Sequence, residues 1–249
     1  MKLNIWLFLV ILILGLGVSA CGAIANPALD EQQLEQKVLE VIRKNPQVIL
    51  ESVQKFQQQQ QNQQSNLRSQ VLSQIKAKPN LIVRDSPVLG AKAQNLVLAE
   101  FSDFQCPFCA KAHATVNQFM AKHGDEVTLT FKHFPLSDIH PQAMAAAQAA
   151  WAAGQQNQFW QYHDRLFENQ KQISPQFLVE VAEQLGLDLS KFNQDRNSAK
   201  ASQAIAADME LGKSLGLSGT PFFVFNGLTF SGALDLAQLE SVLAQVKNK

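Results

Sequence analysis

Two cysteines, Cys106 and Cys109, flank Pro107-Phe108 at the point where an apolar run gives way to a helical pattern. Residues 96–101, with Leu96, Val97, Leu98 and Phe101 apolar, read as a buried strand, and helical spacing then runs from Cys106 to about His123, stopping near Gly124. A helix start carries unpaired N–H groups and a partial positive charge, which favour a thiolate at Cys106 and make it the attacking sulfur. Cys109 lies one turn along and reaches Cys106 to resolve a mixed disulfide, and Pro107 is tolerated in the first turn, where its missing N–H has no intrahelical partner. These are the requirements of thiol–disulfide exchange. Zinc is the competing use of such a pair, with His113 as a third ligand on the same helix face. No second C-x-x-C and no H-x3-H pair follows, so no resident metal or cofactor is expected; His113, His133, His140 and His163 read as ordinary polar residues. A purely structural disulfide here would close too short a loop to stabilise much.

Downstream, residues 127–134 alternate as a strand that Pro135 ends, and the stretch from Pro141 to about Leu215 is helical throughout. It contains an alanine-rich helix at 144–153, another at 159–167, a third opened by Pro175 and a last one that includes 199–211. Residues 222–225 and 228–230 form a hairpin around Asn226-Gly227, and 234–246 is a closing amphipathic helix. Residues 81–83 read as a further short strand, after a boundary at Lys78-Pro79-Asn80. Strand, helix, strand, helical block, hairpin and helix describe an α/β domain with an inserted helical subdomain.

The N-terminus reads as an export signal. Lys2 supplies a charge, residues 5–17 are almost wholly apolar, and the run is shorter than the roughly 20 residues that span a bilayer. Val18-Ser19-Ala20-Cys21 resembles a bacterial lipobox, which would make residues 1–20 a signal peptide and Cys21 the lipidated first residue. The rival is Ala23-Ile24-Ala25, an A-x-A site whose cleavage after Ala25 would release a soluble periplasmic protein. Either way the chain works outside the cytoplasm, where a disulfide persists.

Residues 21–80 form a glutamine-rich helical extension. Asp30 reads as an N-cap with Gln33 as its capping-box partner, Leu34, Val38, Val41 and Ile42 fall at helical spacing, and Asn45-Pro46 interrupts. A second pattern runs through Ile49, Val53 and Phe56, crosses a tract at 57–64 in which only Asn62 is not glutamine, and resumes with Leu67, Val71 and Ile75. A narrow apolar stripe is marginal alone and usually finds a partner, so 30–78 reads as an oligomerisation stalk, a helix packed on its own domain, or a flexible spacer. Apolar residues make up 46 % of the chain, enough for a core, while 21 basic and 21 acidic residues cancel. With no cationic surface, nucleic acid is not an expected partner.

The segment from Glu100 through Cys109 resembles the active-site segment of DsbA-family thioredoxin-fold proteins, as does the lead-in 86–90. Phe134-Pro135-Leu136, His140-Pro141, the run 159–164 and the run 215–221 also match that family's pattern. The resemblance runs from about Ser86 to the C-terminus, implies a thioredoxin domain over 81–249 with a helical insertion at about 138–215, and makes the extension similar to the stalks of oligomeric relatives. It further implies that Pro221 is a cis-proline facing the cysteines, with Thr220 and Pro221 binding substrate as an added strand. Glu100 would be the buried acid that accepts the Cys109 proton, with Lys132 paired to it across adjacent strands.

The implied activity is formation, isomerisation or reduction of disulfides in cysteine-containing exported proteins, with a membrane redox partner to reset the pair. Phe108 departs from the histidine of strongly oxidising members and donates no hydrogen bond, which implies a less stabilised thiolate and a weaker oxidant. Two other classes remain open at this stage: a metal-binding or metal-delivery module on the same cysteines, and a non-catalytic stalk built on 30–78.

Overall fold

A computed structural model describes residues 30–248. The signal peptide, the lipobox with Cys21 and the site after Ala25 lie outside the described residues. Helices α1 (Glu31–Lys44) and α2 (Pro46–Ala77) are followed by a 3-10 turn at Pro79–Ile82 and strand β1 (Val88–Gly90). Then come β2 (Leu96–Ser102), α3 (Pro107–His123) and β3 (Val127–His133). The helical block is α4 (Ala143–Gly154), α5 (Phe159–Glu168), α6 (Pro175–Gln184), α7 (Leu189–Arg196) and α8 (Ala199–Ser214). Strands β4 (Phe222–Phe225) and β5 (Leu228–Ser231) and helix α9 (Leu236–Lys247) complete the chain.

The five strands lie in the order β1-β3-β2-β4-β5, with β2 and β3 parallel and every other pair antiparallel. A parallel pair needs a crossover, and α3 supplies it. Central strand β2 is covered on both sides, which is why it reads as a near-continuous apolar run. Val97, Ala99 and Phe101 join a core with Ile82, Leu211 and Leu215, whereas Leu98 packs with Ala112, Val116 and Phe119 of α3. By the two-residue period of a strand, Glu100 shares the α3 face with Leu98. The helical block forms a third core, and Cys106, Cys109, Phe104 and Phe131 belong to it.

The chain divides into two compact units, one ending at Gln58 and the other comprising Gln59–Lys249. The division falls inside α2. In the first unit Leu34, Val38, Val41, Ile42, Ile49, Val53 and Phe56 are exposed. In the second, the last turns of α2 pack on the sheet: Ile75 is buried with Ile82 and Val97, and Arg68 donates to Thr229 Oγ1 at 3.2 Å. Gly227 in the β4–β5 turn has φ +86°, and a Cβ there would sit 2.9 Å from both the Leu72 carbonyl oxygen and Lys76 Cβ. The Asn-Gly turn is therefore required by backbone conformation and by the close approach of α2.

Three local expectations fail. Residues 81–83 are not a strand: Pro79 opens a 3-10 turn in which Ile82 is buried, and the edge strand begins only at Val88. Asp30 precedes the first helix, but its side chain makes no capping bond. Lys132 does not pair with Glu100. In the β2–β3 register Glu100 lies opposite Phe131 and Lys132 opposite Phe101, so the two side chains point to opposite faces. Lys132 Nζ donates instead to Asp208 Oδ1 at 3.1 Å, Val83 O at 2.9 Å and Ser86 Oγ at 2.6 Å.

Candidate active site

Strand β2 aims the chain at the N-terminus of α3, and a buried carboxylate shapes the loop between them. Asp103 accepts hydrogen bonds from Gln105 N at 2.7 Å and Leu136 N at 2.8 Å, and its Oδ2 lies 2.7 Å from His140 Nδ1. Gln170 Nε2 donates to the carbonyls of Phe104 and Cys106, at 2.8 and 2.9 Å. The loop is thus fixed from the β3–α4 connection on one side and from the helical block on the other. Phe104 stacks on Phe131 beneath it, with ring centroids 5.2 Å apart.

Cys106 is the N-cap of α3, with φ −74° and ψ 120°, and Pro107 occupies the first turn. Both cysteines are free thiols and both are buried, Cys109 completely. The Cys109 thiol is the main force lowering the Cys106 pKa to about 5, opposed by burial and assisted by Thr220 and the backbone N–H groups of Cys109 and Phe108. Burial, reinforced by the neighbouring Cys106 sulfur, pushes Cys109 far above the ordinary thiol range. The environment therefore separates two chemically identical groups into a thiolate and a protonated reserve. The Phe108 side chain donates nothing, but its backbone N–H is among the groups that supply the stabilisation. About 5 lies between the values of roughly 7 for thioredoxin and 3.5 for the strongly oxidising DsbA.

The Thr220–Pro221 peptide is cis, and the Thr220 carbonyl oxygen is 3.3 Å from Cys106 Sγ. Thr220 Oγ1 is buried with no hydrogen-bond partner. On the α3 face of β2, Glu100 is buried and its pKa is raised to about 7, by desolvation opposed by the Ser102 hydroxyl. Ser102 also acts to lower Cys109, so it neighbours both groups, although its Oγ has no partner at hydrogen-bond length. Of the aromatic residues around the site, Phe108 is 65 % exposed while Phe104 and Phe222 are core. Ile139, beside the His140 that binds Asp103, is 69 % exposed and adds a second apolar group that the sequence reading did not single out. Gln170 was missed as well; nothing in its local sequence distinguishes it from the other glutamines.

Among the described residues, His113 does not join the cysteines as a ligand group; it meets His163 and Asp164 instead. No helix among the described residues is long and apolar enough to cross a membrane.

The family model of a DSBA-like thioredoxin domain matches residues 97–244. A curated relative, a Na(+)/H(+) antiporter NhaA 3 of Salinispora tropica, is 33 % identical over 156 residues, covering 63 % of this chain but 24 % of its own. The chain thus spans about a quarter of the length of that relative. Among solved structures, a thioredoxin-like oxidoreductase from Silicibacter pomeroyi is 27 % identical with TM-score 0.60, covering 67 % of this chain and 94 % of that one. A linker-deletion mutant of Proteus mirabilis ScsC is 21 % identical with TM-score 0.61, covering 90 % of this chain and 99 % of that one.

Proposed function

The chain belongs to the DSBA-like thioredoxin domain family, and on that basis we propose that it is an exported, lipid-anchored thiol–disulfide oxidoreductase of other exported proteins. The observation that supports this reading most is the opposed pair, a Cys106 held as thiolate at about 5 next to a Cys109 kept protonated. In the oxidised protein a substrate thiolate attacks Cys106 Sγ, the Cys106–Cys109 bond breaks, and Cys109 leaves and takes up a proton. A second substrate thiolate then attacks the substrate sulfur of the mixed disulfide, and Cys106 departs as its stable thiolate. Two electrons have passed from substrate to enzyme, and a membrane redox partner removes them. In the reduced protein the steps run backwards: Cys106 attacks a substrate disulfide, Cys109 gives its proton to Glu100, and the Cys109 sulfur displaces the reduced substrate from Cys106.

The loop at Thr220 and Pro221 would hold an extended substrate segment beside Cys106, with Phe108 and Ile139 as apolar contacts. Lipid on Cys21 would keep the protein at the membrane. The exposed apolar residues of α1 and the first half of α2 would join copies of the chain. The equilibrium potential of the cysteine pair fixes the favoured direction, since about 30 mV changes a two-electron equilibrium tenfold. The functional test is reduction of insulin disulfides and refolding of a reduced, secreted substrate. Cys106→Ser should abolish both, and Cys109→Ser should accumulate the mixed disulfide; activity that survives Cys106→Ser would refute the reading. Sedimentation of chains with and without residues 30–58 tests self-association, and identical monomers would remove it.

A further inference from the structure

Helices α3 and α5 bring together side chains whose positions in sequence give no hint of it. His113, His163 and Asp164 each offer a ligand atom, all within 4.8 Å of one another, and His113 Nε2 and His163 Nδ1 lie 3.8 and 2.9 Å from Asp164 Oδ1. We propose that His113, His163 and Asp164 form a binding site for one divalent first-row transition ion of the Zn2+ class, independent of the redox cysteines.

The donor set suits such an ion. Two imidazoles and one carboxylate are an established ligand combination for zinc, leaving a fourth position for water or a substrate group. An imidazole must be neutral to ligate. Both rings are buried, with 11 % and 4 % of their side chains exposed, and burial disfavours the charged imidazolium. One carboxylate facing two neutral rings is a site that gains by accepting a dication.

The hydrogen positions fit as well. A carboxylate only accepts, so in the 2.9 Å contact between His163 Nδ1 and Asp164 Oδ1 the ring hydrogen is on Nδ1. His113 Nε2 lies 3.2 Å from Asn117 Nδ2, which only donates, so Nε2 presents a lone pair, and it is 3.8 Å from the same Asp164 oxygen. An ion would take the place of the hydrogen between His163 and Asp164, and the ring hydrogen would move to His163 Nε2. That nitrogen is buried and has no hydrogen-bond partner, in a ring surrounded by Phe104, Phe131, Phe159 and Phe167. The rearrangement conserves protons, and it requires His113 to give up Asn117. Asp164 keeps 44 % of its side chain exposed, which gives the ion a route in.

The test is calorimetric titration of the full chain with Zn2+ alone, with Cys106–Cys109 held as the disulfide and the remaining thiol alkylated, so that no thiolate competes. One ion per chain is expected. Asp164→Asn and His113→Ala should each weaken it about a hundredfold or more, the upper end of what losing an outer-shell partner does to a metal site. Asp164 is at the surface, so its variant keeps the proposal testable where a histidine variant fails to fold. His123 faces Glu126 and Glu240 in a separate surface cluster, so His123→Ala is the control and should leave binding unchanged. No saturable binding by about 1 mM Zn2+ would overturn the proposal. Binding that follows His123 rather than Asp164 would overturn it too.

Discussion

Replacing Glu100 by glutamine isolates the electrostatic state of the acid on the α3 face of β2. The carboxyl is buried, one of its oxygens has no hydrogen-bond partner, and desolvation moves its pKa from an ordinary 4.5 to about 7. Below pH 4.5 the folded and unfolded chains both carry the proton, and Glu100 then resembles glutamine. Between 4.5 and about 7 the unfolded chain releases the proton while the folded chain keeps it, so the fold loses stability as pH rises. Above about 7 the loss is complete. That interval, at 1.36 kcal/mol per pH decade, amounts to about 3 kcal/mol. Urea unfolding of both proteins in the disulfide form, from about pH 4 to about pH 8, measures it without interference from thiol titration. The advantage of Glu100→Gln over the parent should grow by about 3 kcal/mol across that range, and most of the growth should fall between 4.5 and 7. Because other groups titrate alike in both proteins, they cancel in the difference. An advantage that does not change with pH would mean that Glu100 ionises freely in the fold, and its assignment as a proton acceptor for Cys109 would fall with it.

The remaining expectations concern the cysteines and the structure that holds them. Alkylation of the reduced protein should follow a single thiol with a midpoint near pH 5, the value set for Cys106, and Cys109→Ala should raise that midpoint because it removes the largest stabiliser. The potential of the pair should fall between about −270 mV, typical of thioredoxin, and about −120 mV, typical of DsbA; a value outside these limits refutes the link between pKa and potential. Lys132→Met strands Asp208 inside the protein and should cost about 3–5 kcal/mol in urea unfolding, whereas an exposed pair would cost almost nothing. Asp103→Ala leaves two backbone N–H groups without an acceptor and should cost about 2 kcal/mol or more, with slower insulin reduction as the Cys106 loop loosens.

What the sequence reveals and what it conceals divide along the range of the interactions involved. The Cys-Pro-Phe-Cys signature, the Asn226-Gly227 turn and the apolar strand at Leu96 are local patterns, and each one appears in the structure at the position read from it. The Glu100–Lys132 pairing fails because it needs the register of two strands, and a one-residue offset sends a side chain to the other face. The extension shows a similar limit. A helical stripe shows that a partner is needed but not which one, and the stretch holding Ile75 packs on the sheet while the stretch holding Val53 stays exposed. Phe108 illustrates a different limit. Reading the dipeptide alone implies a thiolate less stabilised than in strongly oxidising members, and about 5 against roughly 3.5 agrees with that, but the dipeptide does not show where the stabilisation arises. The stabilisation comes from Cys109, the helix backbone and Thr220, and Thr220 is far away in sequence and close only once β4 pairs antiparallel with β2. The same topology governs His113, His163 and Asp164: fifty residues separate the two histidines, and only the packing of α5 on α3 makes one chemical group of them.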